Sequence, residues 1–231
     1  MKKNWMTVVL GFLALAAWCA CALLAQRAAR MAPGPSVRWE EGSGVSAAQW
    51  TRTERWAGED GGDFPEAVLW RTMEGAVSRA DGVRSAAPDL IGVFGDPGLL
   101  WPLGFTAGNW PARGDGEGCA LSEDVADALW GGTDVVGQCV RYQGRTYYVR
   151  GVFQGRTGLV VFQGDGDGAE RYQRMLLALP GGPEEGRAFL SRAGLPQGEC
   201  LDLELLSWGL GVLAALPAAL LGLGILGRLL G

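Results

Sequence analysis

The sequence predicts an α+β domain held between two membrane-spanning helices, and three observations carry that expectation. An uncharged apolar run lies near each end of the 231-residue chain. All 25 Asp and Glu fall between Glu40 and Glu204, so the water-seeking part of the chain is its middle. Within that block, stretches of strand character alternate with capped helical patterns, and no dinucleotide-binding glycine fingerprint is present to suggest a doubly wound parallel sheet.

Residues 7–25 read TVVLGFLALAAWCACALLA, 19 residues without a charge. As a helix they span about 28 Å, matching the hydrocarbon core of a bilayer. Lys2 and Lys3 precede the run. A cleaved signal peptide has a similar start, but the apolar run is longer than a usual signal core, and Gln26-Arg27-Ala28-Ala29-Arg30 is a poor cleavage site. Cys19 and Cys21 are not framed as a lipid-attachment site. The second expected span, 205–227, is uncharged and carries Pro217, which membrane helices tolerate better than soluble ones. Gly209, Gly211, Gly222, Gly224 and Gly227 give it small faces through which helices approach closely, so homo- or hetero-oligomers through this helix are expected, alongside contact with membrane lipid.

Flanking charge sets the orientation. Lys2 and Lys3 favour a cytoplasmic start; Glu199, Asp202 and Glu204 before the second span and Arg228 after it agree with an outward-to-inward passage. The expected organisation is 1–6 and 228–231 in the cytoplasm, 26–44 as a linker, and 45–204 as an extracytoplasmic domain in a two-helix protein of the cell membrane.

Composition excludes several functions. Fourteen Arg against all 25 acidic residues leave the block from 40 to 204 at −11, which repels phosphate backbones and argues against nucleic acid. The chain has no His, so the commonest general base and the commonest metal ligand are missing. No catalytic residue, metal site or cofactor site is expected.

Along the middle block, Ser46 is placed to cap a helix through Trp56, with Trp50 and Trp56 covering one side. A second helix is expected over 65–79. Pro65 suits its first position, and Val68, Leu69, Met73 and Val77 form a stripe at helical spacing. Asp81-Gly82 is a turn, 83–94 is extended with a break near Pro88, and 95–118 is long and irregular. A strand at 119–121 leads to a helix from Ser122 to Trp130, closed by Gly131-Gly132. Strands at 138–142 and 146–153 flank a tight turn at Gln143-Gly144-Arg145. A strand at 159–163 precedes the Gly-Asp run 164–168, which lacks the ligand spacing of a calcium loop. A strand at 174–179, a helix at 184–193 and a strand at 200–203 complete the domain.

The stretch from Cys119 to Phe153 carries a family pattern. Leu121-Ser122 ends a strand. Ala126, Leu129, Trp130 and Gly131 follow on a helix. Asp134, Val136 and Gly137 form a turn, and Gly144, Tyr148, Val149, Gly151 and Val152 fill a hairpin. This resembles the MacB-like periplasmic core domain of ABC transporter permeases of the MacB and FtsX-like group, with Trp130 where the family usually has Phe. The upstream GFTAGNWP, residues 104–111, is similar to a loop of the same family. Gly137 and Gly151 stand where a side chain would crowd a turn or strand. Ser122 reads as a helix cap and not a nucleophile, since no His is present to activate it.

The resemblance implies a non-catalytic permease-type subunit working with a partner permease subunit and a separate cytoplasmic ATPase, its outer domain contacting a partner or substrate or relaying motion. Family permeases have four membrane helices, so this chain is expected to be a split, degenerate or accessory copy; a two-helix envelope sensor or scaffold without an ATPase is the alternative. Apart from the resemblance, Cys119 and Cys139 lie at the starts of strands flanking one helix in an oxidising exterior, which makes them a candidate disulfide.

Overall fold

The computed structural model describes residues 34–59 and 64–201, together with Ala16, Trp18, Cys19, Ala20, Leu23 and Gly209, all with helical backbone. Pro33–Leu201 is one compact unit, and Met1–Ala32 with Asp202–Gly231 is another. Apart from those six residues, both expected spans lie outside the described residues. Among the described residues no helix is long and apolar enough to cross a membrane.

In chain order the unit holds β1 (Ser36–Arg38), β2 (Val45–Ser46), α1 (Ala47–Glu59), β3 (Ala67–Met73), β4 (Val77–Arg79), β5 (Ser85–Ala86) and β6 (Asp89–Phe94). A 3-10 turn at Pro97–Leu99 leads to β7 (Phe105–Gly108), β8 (Gly118–Ser122), α2 (Glu123–Trp130), β9 (Cys139–Tyr142), β10 (Arg145–Phe153) and β11 (Leu159–Gln163). The unit closes with β12 (Arg171–Tyr172), β13 (Arg174–Leu177), α3 (Pro183–Arg192) and β14 (Glu199–Leu201). One mixed sheet runs β14-β1-β13-β3-β6-β11-β8-β10-β9-β4-β5, with β7 added against β10; β12 and β2 pair separately. Within the large sheet, only β6–β11 and β8–β10 are parallel.

Two apolar cores form on this sheet. In one, α2 turns Val125, Ala126 and Leu129 onto Leu121, Val140 and Val149. Leu129 lies four residues after Val125 and three after Ala126, so the three share one face. In the other, α1 supplies Trp50 and α3 supplies Phe189 and Leu190, against Val37, Met175 and Leu177. Phe64 bridges α1 and α3, its ring centroid 5.0 Å from Trp50 and 5.4 Å from Phe189. Each fully buried Leu or Val here contributes about 1.5–3 kcal/mol of transfer free energy.

Local chemistry matches expectation at several points. The Ser46 hydroxyl accepts from the Gln49 amide at 3.1 Å, capping α1. Gly131 ends α2 in the left-handed conformation at φ 81°. The β9–β10 hairpin turns through Gln143 at φ 47° and Gly144 at φ 80°, a two-residue turn with both central residues left-handed.

Other expectations are corrected. The helix over 65–79 is instead β3 and β4. Val68 and Leu69 are neighbours, yet both are fully buried, because both faces of β3 are covered at this end of the strand. Burial on two faces removes the alternation that marks a strand, and the residue spacing then mimics a helix. The linker 26–44 contains β1, which sits between β13 and β14 with Val37 fully buried. The irregular stretch 95–118 contains β7. Trp50 is buried while Trp56 is 64% exposed, since six residues along a helix turn to a different face.

Candidate functional site

The residues of the Cys119–Phe153 pattern form the spine of the first core. Leu121, Ser122, Ala126 and Leu129 have no exposed surface, and Trp130 packs half-buried against them. Ser122 occupies the N-cap position of α2, but its side chain makes no capping bond. Its hydroxyl accepts instead from the Leu159 amide at 3.1 Å, tying the end of β8 to the start of β11. Gly137 holds φ 84° in the turn before β9 and donates its amide to the Val149 carbonyl at 2.8 Å. Gly151 lies under Phe105; a methyl group there would sit 2.6 Å from the ring and collide with the Asn109 carbonyl. That glycine is what lets β7 and its aromatic neighbour Trp110 close over β10, with Phe105 and Trp110 edge to face at 5.0 Å.

The first and last strands of the unit are neighbours. β1 and β14 pair antiparallel, with Ser36 opposite Leu201, Val37 opposite Cys200 and Arg38 opposite Glu199. The chain therefore enters and leaves the domain at one edge of the sheet.

A third feature is a cavity of about 130 Å³ between the sheet and the 164–170 loop, lined among others by Arg71, Arg145, Tyr147, Phe162, Glu170 and Tyr172. Arg71 on β3 lies directly across from Gly92 on β6, which in turn pairs with Phe162 on β11. The absence of a side chain at Gly92 makes room for the arginine: a methyl group there would stand 2.9 Å from Met73 Sδ and 3.4 Å from Arg71 Nε. Arg71 forms an ion pair with Glu170. Burial pushes the Tyr172 hydroxyl up to about 12, with Arg71 opposing and Glu170 reinforcing the shift. Tyr147 is raised for the same leading reason, opposed chiefly by Arg145. Both hydroxyls thus stay protonated at neutral pH. Among the described residues no group of three or more His, Cys, Asp or Glu is placed to hold a metal ion.

Two solved structures share this architecture. The periplasmic region of MacB from Actinobacillus actinomycetemcomitans superposes with a TM-score of 0.56 at 10% identity, covering 76% of this chain and 91% of that one. The extracellular domain of the noncanonic ABC-type transporter YknZ from Gram-positive bacteria superposes at 0.52 with 15% identity, covering 73% and 97%. The domain has the fold of a MacB-like periplasmic core domain. No protein-family model and no curated protein matches the sequence, so the likeness lives in the backbone.

In this MacB-like domain the pattern residues are brought together, but the candidate disulfide is not. Cys119 and Cys139 are free thiols. Cys119 pairs with Val149 on one side of β10, and Cys139 with Tyr148 on the other. Two strand spacings, roughly 9.6 Å, separate them, beyond the ~7 Å Cα reach of a disulfide. Burial pushes the Cys119 thiol well above its ordinary range, leaving it inert. No sequence motif marks the cavity residues. Their only trace is the glycine-rich 164–168 run, which reads as a turn and says nothing about the arginine it covers.

Proposed function

We propose that the chain is a non-catalytic, permease-type membrane subunit of an ABC transporter complex. Its MacB-like domain stands outside the membrane between the spans expected at 7–25 and 205–227, with both termini in the cytoplasm. The domain contacts a partner or substrate, or passes motion to the membrane helices, while a partner permease subunit and a separate ATPase supply the rest of the machine. The observation that carries this reading is the MacB-like fold over three quarters of the chain.

The pairing of β1 with β14 supports it, because the chain enters and leaves the domain at one edge of its sheet, which suits a domain inserted between two expected spans. The surplus of acidic residues confined to the middle block suits an aqueous exterior. Membrane-impermeant thiol labelling in intact cells tests the arrangement. A cysteine at exposed Tyr148 (Tyr148→Cys) is expected to gain label over the parent chain, and one at the C-terminus (Gly231→Cys) only after permeabilisation. Label at the C-terminus of intact cells, or none at position 148, would refute it.

A further inference from the structure

We propose that the outer face of α1 docks an acidic amphipathic segment of a partner protein. Arg52, Arg55, Trp56 and Glu59 carry the inference. Counted from Arg52, the others stand three, four and seven positions along the helix, so the four form one stripe. All four are exposed. At 3.6 residues per turn the stripe is centred opposite Trp50, the residue that α1 buries in the second core.

Trp56 is the anomaly. It is 64% exposed, while every other described tryptophan of the Pro33–Leu201 unit is buried or half-buried. A lone exposed apolar residue is ordinary, so the ring decides nothing by itself. Its setting does. Two guanidiniums stand beside it on the same stripe, and Trp and Arg are the residue types most enriched at the energetic centres of protein interfaces.

The two arginines are uncommitted. Among the described residues neither Arg52 nor Arg55 forms an ion pair. Glu59 follows Arg55 by four residues, the spacing of a helical pair, and does not take it up. Glu54, on the flank of the helix, is already held by both Nη atoms of Arg113.

Charge selects the occupant. The block from 40 to 204 carries −11, so an anionic bilayer or a second copy of the domain is repelled as a whole. A segment that brings its acids to this one stripe is attracted where a broad anionic surface is not. Along α1 the stripe reads positive, positive, aromatic, negative over about 10 Å. Its complement reads acid, acid, apolar, base, and an amphipathic helix laid beside α1 presents groups at that spacing. The inference does not rest on the transporter reading.

Site-specific photo-cross-linking in intact cells tests it, with benzoylphenylalanine in place of Trp56 in the full chain and the adduct mapped by mass spectrometry. The expected adduct is on another protein, at a segment with Asp or Glu within one helical turn on either side of the attachment point. Arg52→Glu combined with Arg55→Glu is expected to cut its yield by about tenfold, and reversal of the partner's acids to Arg to restore it. Where that chain does not accumulate, Arg52→Gln with Arg55→Gln decides, at an expected loss of about threefold. Arg84→Glu with Arg141→Glu, exposed elsewhere on the domain, is expected to leave the yield unchanged. No adduct, an adduct on lipid or on a second copy of this chain, or an attachment site without acids would overturn the proposal. So would a yield indifferent to Arg52 and Arg55, or one equally sensitive to Arg84 and Arg141.

Discussion

Ser36 and Leu201 face each other across the β1–β14 pairing, so the domain begins and ends at the same point of its sheet. The next pair inward, Val37 and Cys200, is buried. Paired residues in antiparallel strands have Cα atoms about 4.5–5.5 Å apart, within disulfide reach. Val37→Cys is therefore expected to cross-link with the native Cys200 under mild oxidant, shifting the chain on a non-reducing gel and stabilising the domain by about 2–4 kcal/mol. A chain that stays reduced would show that β1 does not pair with β14 in this register.

Ser122 offers a sharper test of role. A helix cap and an inter-strand acceptor both lose their oxygen in Ser122→Ala, but at different places. The pairing with the Leu159 amide predicts a loss of about 1–3 kcal/mol from an orphaned buried N–H. It also predicts faster amide exchange at Leu159. Faster exchange at the first turn of α2, with Leu159 unchanged, would restore the capping role.

Gly151 and Gly137 separate two uses of glycine. Gly151→Ala drives a methyl group into Phe105 and the Asn109 carbonyl, and is expected to cost at least about 2 kcal/mol and to change the fluorescence of Trp110. Gly137 has open space around its Cβ position but a positive φ, so Gly137→Ala should cost only about 1 kcal/mol and leave the tryptophan signal alone. Chemical denaturation with fluorescence detection checks both.

Alkaline pH should weaken the fold through its tyrosines. Tyr172 is pushed up to about 12, and Tyr142 and Tyr147 are also raised, in each case first by burial. An unfolded tyrosine ionises near 10. Below that pH both states hold the proton and the contribution is constant. As pH climbs from about 10 towards 12, the unfolded chain releases protons that the folded chain retains, so stability falls across that window. Thermal melts at stepped pH, read beside tyrosinate absorbance, should show Tm declining above pH 10. A flat profile between 10 and 12 would contradict the burial of these hydroxyls.

The elements legible in the sequence were those with local chemical marks. Ser46 before α1, Ser122 and Gly131 around α2, and Gln143-Gly144 in the hairpin each encode a backbone event within a few residues. What stayed hidden depended on distant partners. β3 reads as a helix because Val68 and Leu69, neighbours on opposite faces of the strand, are both buried by segments distant in sequence. β1 reads as a linker because three residues mean little until β13 and β14 flank them. Cys119 and Cys139 look pairable along the chain, and only the insertion of β10 between their strands parts them. The cavity was illegible for the same reason: Arg71 and Gly92 meet only across the sheet, and Glu170 reaches Arg71 from the loop before β12.

Isolation of the full chain from its native membrane in mild detergent, with mass spectrometry of what accompanies it, tests the central claim most directly. The transporter reading predicts stoichiometric recovery of a nucleotide-hydrolysing ATPase and of a second permease subunit. Recovery of the chain alone, or with neither partner across several detergents, would contradict it and favour a two-helix envelope sensor or scaffold.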